Sequence, residues 1–178
     1  MIVAISGPRG HRIAREEGDS VKRRFVYHIL FWGYCVLMAW LLFGRTRYDI
    51  IDGYWNTLSQ HLSLQPFHTI RLFANVLLGD FSDASRRSAI VNLVGNVIMF
   101  LPLGFLPPLL WKSFRRLWKC LLWGGLIILC VEVCQLFLLV GNCDIDDLLL
   151  NLVGIAMGYG LFSLLVAIKK ESCDNDEC

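Results

Sequence analysis

Charge is scarce in this chain. Asp, Glu, Lys and Arg make up 18% of its 178 residues, where a soluble domain usually carries about 25%. The net charge of +2 is too small to draw the chain onto nucleic acid, so no nucleic-acid partner is expected. The seven cysteines form no CxxC pair and no Cys/His zinc spacing. Four of them, Cys35, Cys120, Cys130 and Cys134, fall in or near apolar runs, where cysteine acts as a small hydrophobe. A disulfide framework is therefore not expected. There is no internal repeat, no low-complexity tract, no GxSxG, no HExxH, and no series of alternating ten-residue segments such as a β-barrel would need.

Long apolar runs are what the sequence has instead, with 56% of its residues hydrophobic. Stretches of roughly 18 or more apolar residues suffice to cross ~30 Å of hydrocarbon. They occur at about 25–43, 88–111, 121–140 and 147–168. In lipid each backbone polar group must be satisfied within its own segment, so all four are expected to be helices. The fold class is all-α: a polytopic bundle of four transmembrane helices embedded in a lipid bilayer. The first run follows basic residues but lacks a small-x-small cleavage site, which makes it a retained span and not a signal peptide.

Basic residues set the expected orientation. Arg9, Arg12, Arg15, Lys22, Arg23 and Arg24 precede the first span, Lys112, Arg115, Arg116 and Lys119 fill the second connection, and Lys169 and Lys170 follow the last span. Arg45, Arg47, Arg71, Arg86 and Arg87 are spread over the long first connection. The positive-inside rule then puts both termini in the cytoplasm. Residues 1–24 become a cytoplasmic segment with little fixed structure, 25–168 the membrane domain with an outer loop at 44–87, and 169–178 a cytoplasmic tail. Within the loop, "PFHTIRLFANVLLGD" places Phe67, Ile70, Phe73, Ala74 and Leu77 at spacings of three and four. That pattern predicts an amphipathic helix, lying either on the outer leaflet or against the bundle. The second span holds Pro102, Pro107 and Pro108 and is expected to kink or break in its inner half. Gly154 and Gly158 in the fourth are expected to admit a close helix neighbour.

Polar residues gather on three spans: Asn92 and Asn96 on the second, Glu132 and Gln135 on the third, and Asp144, Asp146, Asp147 and Asn151 at the head of the fourth. At ~1.5 Å per residue, Asn96 and Glu132 lie roughly 12 Å below the outer boundary and Asn151 roughly 10 Å. Asn92, Gln135 and the three aspartates would line the way out. An ionised acid at mid-helix costs roughly 2.5 to 3.5 kcal/mol on translocon scales. Glu132 should therefore be held protonated or find donors in Asn96, Asn151 or Gln135. Simpler roles are open for each residue: Asp144 as an N-cap, Asp146 and Asp147 as first-turn acids near the helix dipole, and Glu132 and the asparagines as interhelical polar glue.

"NLVGNVIMFLPLGFLPPLLW", "EVCQ" and "CDIDDLLLNLVGIAMG" resemble the three signature segments of the VanZ-like membrane proteins, and "LSLQPFHTI" resembles that family's Asn-Leu-x-Pro-Phe-x-Thr-Ile stretch. The likeness covers residues 62–160. It implies a bacterial inner-membrane protein of the cell envelope, associated with resistance to teicoplanin-type glycopeptides, and supplies no catalytic residues. The family's arginine ahead of the aspartates is replaced by Gly141, Asn142 and Cys143. No anion-binding role carries over from that arginine, and Arg71, Arg86 and Arg87 are the candidates to compensate. The expected activity is binding of a lipid-linked or glycopeptide-type ligand in an outward polar cleft through Asn92, Asn96, Glu132, Gln135, Asp144, Asp146, Asp147 and Asn151. Two other readings stand beside it. One is an enzyme acting on a lipid or cell-wall precursor with Glu132 or Asp147 as acid–base group. The other is a proton-linked transporter subunit, for which four spans would require a homo-oligomer. Hard cations prefer oxygen ligands, but the acidic spacing fits no known loop, and neither metal nor cofactor is expected.

Overall fold

The computed structural model describes residues 8–44, 48–50, 53–63, 65, 67–79, 82–141 and 143–176. The described residues form six α-helices: α1 (Pro8–Phe43), α2 (Tyr54–Gln60), α3 (His68–Leu78), α4 (Asp83–Leu110), α5 (Leu117–Leu138) and α6 (Ile145–Asp176). A 3₁₀ turn, Lys112–Arg115, joins α4 to α5. Two short strands, β1 (Leu62–Ser63) and β2 (Cys143–Asp144), pair in parallel, Leu62 opposite Cys143 and Ser63 opposite Asp144.

Four helices are long and apolar enough to cross a membrane, over Val21–Phe43, Asp83–Leu110, Leu117–Leu138 and Ile145–Ser172. Their outer surfaces carry large exposed hydrophobics such as Val36, Trp40, Ile98 and Val166, a pattern that suits hydrocarbon and not water. The protein is an all-α, multi-pass membrane protein. Helix α1 begins at Pro8, well before the expected span. Proline suits a first helical turn because its missing N–H is not needed there. From Arg9 to Arg24 only Gly10 and Gly18 strongly oppose a helix propagating back from the span.

Helix α4 is the centre of the bundle and packs on α1, α3, α5 and α6. Its contact with α6 runs backbone to backbone. A Cβ on Gly154 would lie 2.3 Å from the Val97 carbonyl oxygen, one on Gly158 2.0 Å from that of Leu101, and one on Gly104 1.9 Å from that of Ile155. The glycine pair of α6 thus presses on α4, and Gly104 returns the contact. Around this seam Met38, Phe100, Leu103, Cys120, Ile128 and Ile155 form the buried core.

The expected break in α4 does not occur; the helix runs through all three prolines to Leu110. Pro108 lacks the N–H that would bond to the Gly104 carbonyl, and that oxygen accepts instead from the Cys120 thiol at 3.8 Å. Neighbouring helices supply replacement partners of this kind, which is how spans tolerate proline.

The long connection between α1 and α4 is folded back onto the bundle. The Tyr54 hydroxyl donates to the Phe137 carbonyl at 2.8 Å, and the Tyr48 N–H donates to that of Leu139 at 2.8 Å. The Tyr48 and His61 rings stack at 4.0 Å with planes 10° apart. Helix α3 begins one residue after Phe67, packs along α4 and touches the start of α6. The expected amphipathic helix is present and packs against the bundle. Pro66 and the side chains of Phe73 and Leu77 lie outside the described residues.

Candidate functional site

The site is built where α5 turns into α6. Helix α5 ends with Leu139 in the left-handed region, φ 55 and ψ 38. The Leu139 N–H donates to the Leu136 carbonyl at 3.1 Å and the Val140 N–H to that of Gln135 at 3.0 Å, the Schellman pattern usually made with glycine. A left-handed leucine costs about 1 to 2 kcal/mol, and burial of the Leu139 and Val140 side chains offsets it. Gly141 follows, buried against Gln135, whose side chain would lie 3.3 Å from any Cβ placed there.

Next comes the acidic run. The Asp144 carboxylate accepts the Asp146 N–H at 3.0 Å, which makes Asp144 the N-cap of α6. Asp146 is completely buried and reaches across to the outer loop. Its two oxygens accept the N–H groups of Phe67 at 2.5 Å and Ile70 at 3.1 Å. These are first-turn donors of α3, which have no partner within their own helix. A carboxylate there also meets the positive end of the α3 dipole. Phe67 is held left-handed, φ 64, at this junction.

Asp147, one residue on, faces the bundle. Its Oδ1 accepts from the Asn96 side-chain amide at 2.7 Å, joining α6 to α4. Asn151 follows four residues later on the same face of α6. It is 3% exposed, and its Oδ1 has no hydrogen-bond partner among the described residues. Glu132, on α5, is also buried at 8% exposure. Burial pushes the Cys143 thiol above its usual pKa, and the negative charges of Glu132 and Asp144 push it further up.

Two other residues expected at the site take no part in the Asn96–Asp147 bond. Gln135 is buried, but its amide donates to the Leu42 carbonyl at 2.7 Å, tying α5 to the end of α1 instead of lining a path outward. Asn92 is exposed on α4, one turn beyond Asn96. Residues with no expected role, namely Tyr48, Tyr54, His61 and the α3 amides, fasten the outer loop over the aspartates. Nothing in their spacing signals this, since their partners, the Phe137 and Leu139 carbonyls, the Cys143 N–H and the Asp146 carboxylate, lie far along the chain. Among the described residues no three His, Cys, Asp or Glu side chains come together as a metal site, because Asp144 and Asp146 turn to backbone donors on separate helices.

A family model described as VanZ/LLP1 matches residues 31–166, a span that takes in every polar side chain just described. The chain belongs to the VanZ/LLP1 family. Among relatives, it is similar to "Protein VanZ" of Enterococcus faecium, 28% identical over 131 residues, covering 74% of this chain and 70% of that protein. No solved structure matches the chain. The VanZ/LLP1 match begins inside α1 and ends inside α6, so the first turns of α1 and the last turns of α6 lie beyond it.

Proposed function

We propose that this VanZ/LLP1 protein binds an envelope ligand, of lipid-linked or glycopeptide-related class, in a polar recess between α4, α5 and α6. The recess faces outward under the folded loop, with both termini in the cytoplasm of a bacterial inner membrane, and binding there contributes to tolerance of teicoplanin-type glycopeptides. Asn96, Glu132, Asp147 and Asn151 form the recess. Asp144 and Asp146 build its rim by fixing the start of α6 and of α3.

The observation that carries this reading is the Asn96–Asp147 bond with the Asn151 carbonyl oxygen buried one turn deeper. A buried acceptor without a donor costs about 1 to 3 kcal/mol, so a polar group in that state needs a reason, and a ligand donor is the reason this reading gives it. The link to glycopeptides rests on the family resemblance and on the likeness to the enterococcal VanZ protein.

The test is Asn151→Leu, with Glu132→Gln and Glu132→Leu, in a glycopeptide-susceptible host, reading the teicoplanin inhibitory concentration against membrane protein level. Asn151→Leu should leave the fold as heat-stable as before, since it removes an unpaired polar atom, yet abolish the resistance increment. Glu132→Gln should keep most of the increment and Glu132→Leu lose it. Full resistance in Asn151→Leu and Glu132→Leu would refute a binding recess here. Loss of all resistance in a folded Glu132→Gln variant would favour proton chemistry over binding.

A further inference from the structure

At the end of the bundle away from the polar recess, α4 stops at Leu110 and the chain turns through Trp111 and the 3₁₀ segment into α5. A half-open cavity of about 240 Å³ lies there, walled by Phe31, Leu103, Trp111, Phe114, Trp123 and Ile127 together with neighbouring apolar groups. Such a wall offers too few polar atoms to hold water, which needs two to four partners. Trp123 and Ile127 are 54% and 47% exposed, so the mouth opens on the surface of α5 that faces hydrocarbon.

The turn at its rim carries charge of one sign. Lys112, Arg115 and Arg116 are exposed beside the aromatic wall, and the sequence holds no acid between Asp83 and Glu132. In a 3₁₀ turn residues three apart share a face. Trp111 and Phe114 therefore sit together, their ring centroids 6.0 Å apart, while Lys112 and Arg115 share the neighbouring face. The platform is held in place. The Tyr159 hydroxyl donates to the Arg115 carbonyl at 2.5 Å, and Arg115 Nε reaches the Pro108 carbonyl at 3.4 Å, so this cation stays near the cavity mouth.

We infer that this end of the bundle is a binding site for an anionic phospholipid, with part of one acyl chain in the aromatic cavity and the phosphate against Lys112, Arg115 and Arg116. A free anion would use the cations and leave the cavity unused. A zwitterionic lipid would gain from the cavity but not from three cations without a counter-charge. Only a lipid with net negative charge engages both. The site lies across the bundle from the polar recess, so it stands whether or not that recess binds a ligand.

The test is native mass spectrometry of the detergent-purified protein titrated with dioleoyl-phosphatidylglycerol or dioleoyl-phosphatidylcholine. Phosphatidylglycerol should be retained at least tenfold more tightly. Two cations near a membrane surface are each worth about fivefold, so the double change Arg115→Gln and Arg116→Gln should weaken phosphatidylglycerol about twenty-fivefold. Arg115→Lys with Arg116→Lys should hold it, which separates lost charge from lost fold. Ile127→Trp, at the exposed rim, should fill the cavity and weaken phosphatidylglycerol with all cations in place. Equal retention of the two lipids would overturn the site. So would phosphatidylglycerol binding that falls with Arg→Gln but ignores Ile127→Trp, since surface charge alone would then explain it.

Discussion

Asp146 shows how one buried side chain can organise a region forty residues long. Its carboxylate takes both a left-handed junction and the first turn of α3. Asp146→Ala leaves two part-buried N–H groups without their acceptor, each at a fraction of the about 1 to 3 kcal/mol that a fully buried donor costs. Asp146→Asn repairs only one, because the amide nitrogen repels the other donor. Hydrogen exchange over residues 67–79 should accelerate strongly in Asp146→Ala and moderately in Asp146→Asn, while α5 stays protected. Equal protection of the loop in all three proteins would mean the carboxylate does not hold it. Cys143 reports on a second acid. Burial first, and then the negative charges of Glu132 and Asp144, raise the thiol's pKa, so Cys143 is less reactive at neutral pH than an ordinary cysteine. Glu132→Gln should then speed its alkylation severalfold, up to about tenfold for each pKa unit recovered, in a chain where Cys143 is the sole cysteine. An unchanged rate would show that Glu132 carries no charge in the folded protein.

At the scale of elements, the α4–α6 seam depends on absent side chains. Gly158 meets the Leu101 carbonyl oxygen, which is rigid backbone, so Gly158→Ile must push the helices apart. Overpacking typically costs 1 to 3 kcal/mol, and three glycines on one seam leave no room for relaxation. Thermal unfolding in detergent should fall by many degrees for Gly158→Ile. Gly160→Ala, where nothing lies within 4 Å, should be neutral; equal effects would show that the seam is not the contact that matters. These helices could be read from the sequence, because apolar length and small-residue spacing are local properties. The small elements of the outer loop could not. Helix α2 is seven residues long, too short for its periodicity to stand out, and β1 and β2 exist only because residues eighty positions apart meet. The continuity of α4 was hidden for a similar reason: proline predicts a break unless a neighbour such as Cys120 takes the freed carbonyl, and that neighbour is fixed by the tertiary fold alone. At the polar cluster the residue types and helix faces were legible, but their partners were not. Gln135 and Asp146 have backbone partners on distant elements, and Asn96 found Asp147 one turn above the expected level.

For the molecule as a whole, the two ends of the bundle differ in chemistry, and the distance between them constrains how it sits. From Asn96 to Trp111, α4 rises roughly 22 Å at 1.5 Å per residue. With Trp111 and the basic turn at one boundary of ~30 Å of hydrocarbon, Asn96 lies roughly 8 Å inside the other. The first two turns of α4, from Asp83, then emerge beyond that boundary, and there the Arg86 side chain donates to the Gly79 carbonyl just past the end of α3 at 2.6 Å. The proposed recess can meet an extracellular ligand only if the loop end faces out, and the basic turn, which the positive-inside rule favours on the cytoplasmic side, is at the opposite end. In intact cells a membrane-impermeant maleimide should therefore label Cys143, slowly because the thiol is half-buried and raised in pKa. Labelling should quicken in Asp146→Ala, whose loop no longer shields the site. A green fluorescent protein fused to the C-terminus should be fluorescent and an alkaline phosphatase at the same place inactive. Active phosphatase with Cys143 labelled only after lysis would invert the molecule and turn the recess toward the cytoplasm, where no extracellular glycopeptide could reach it.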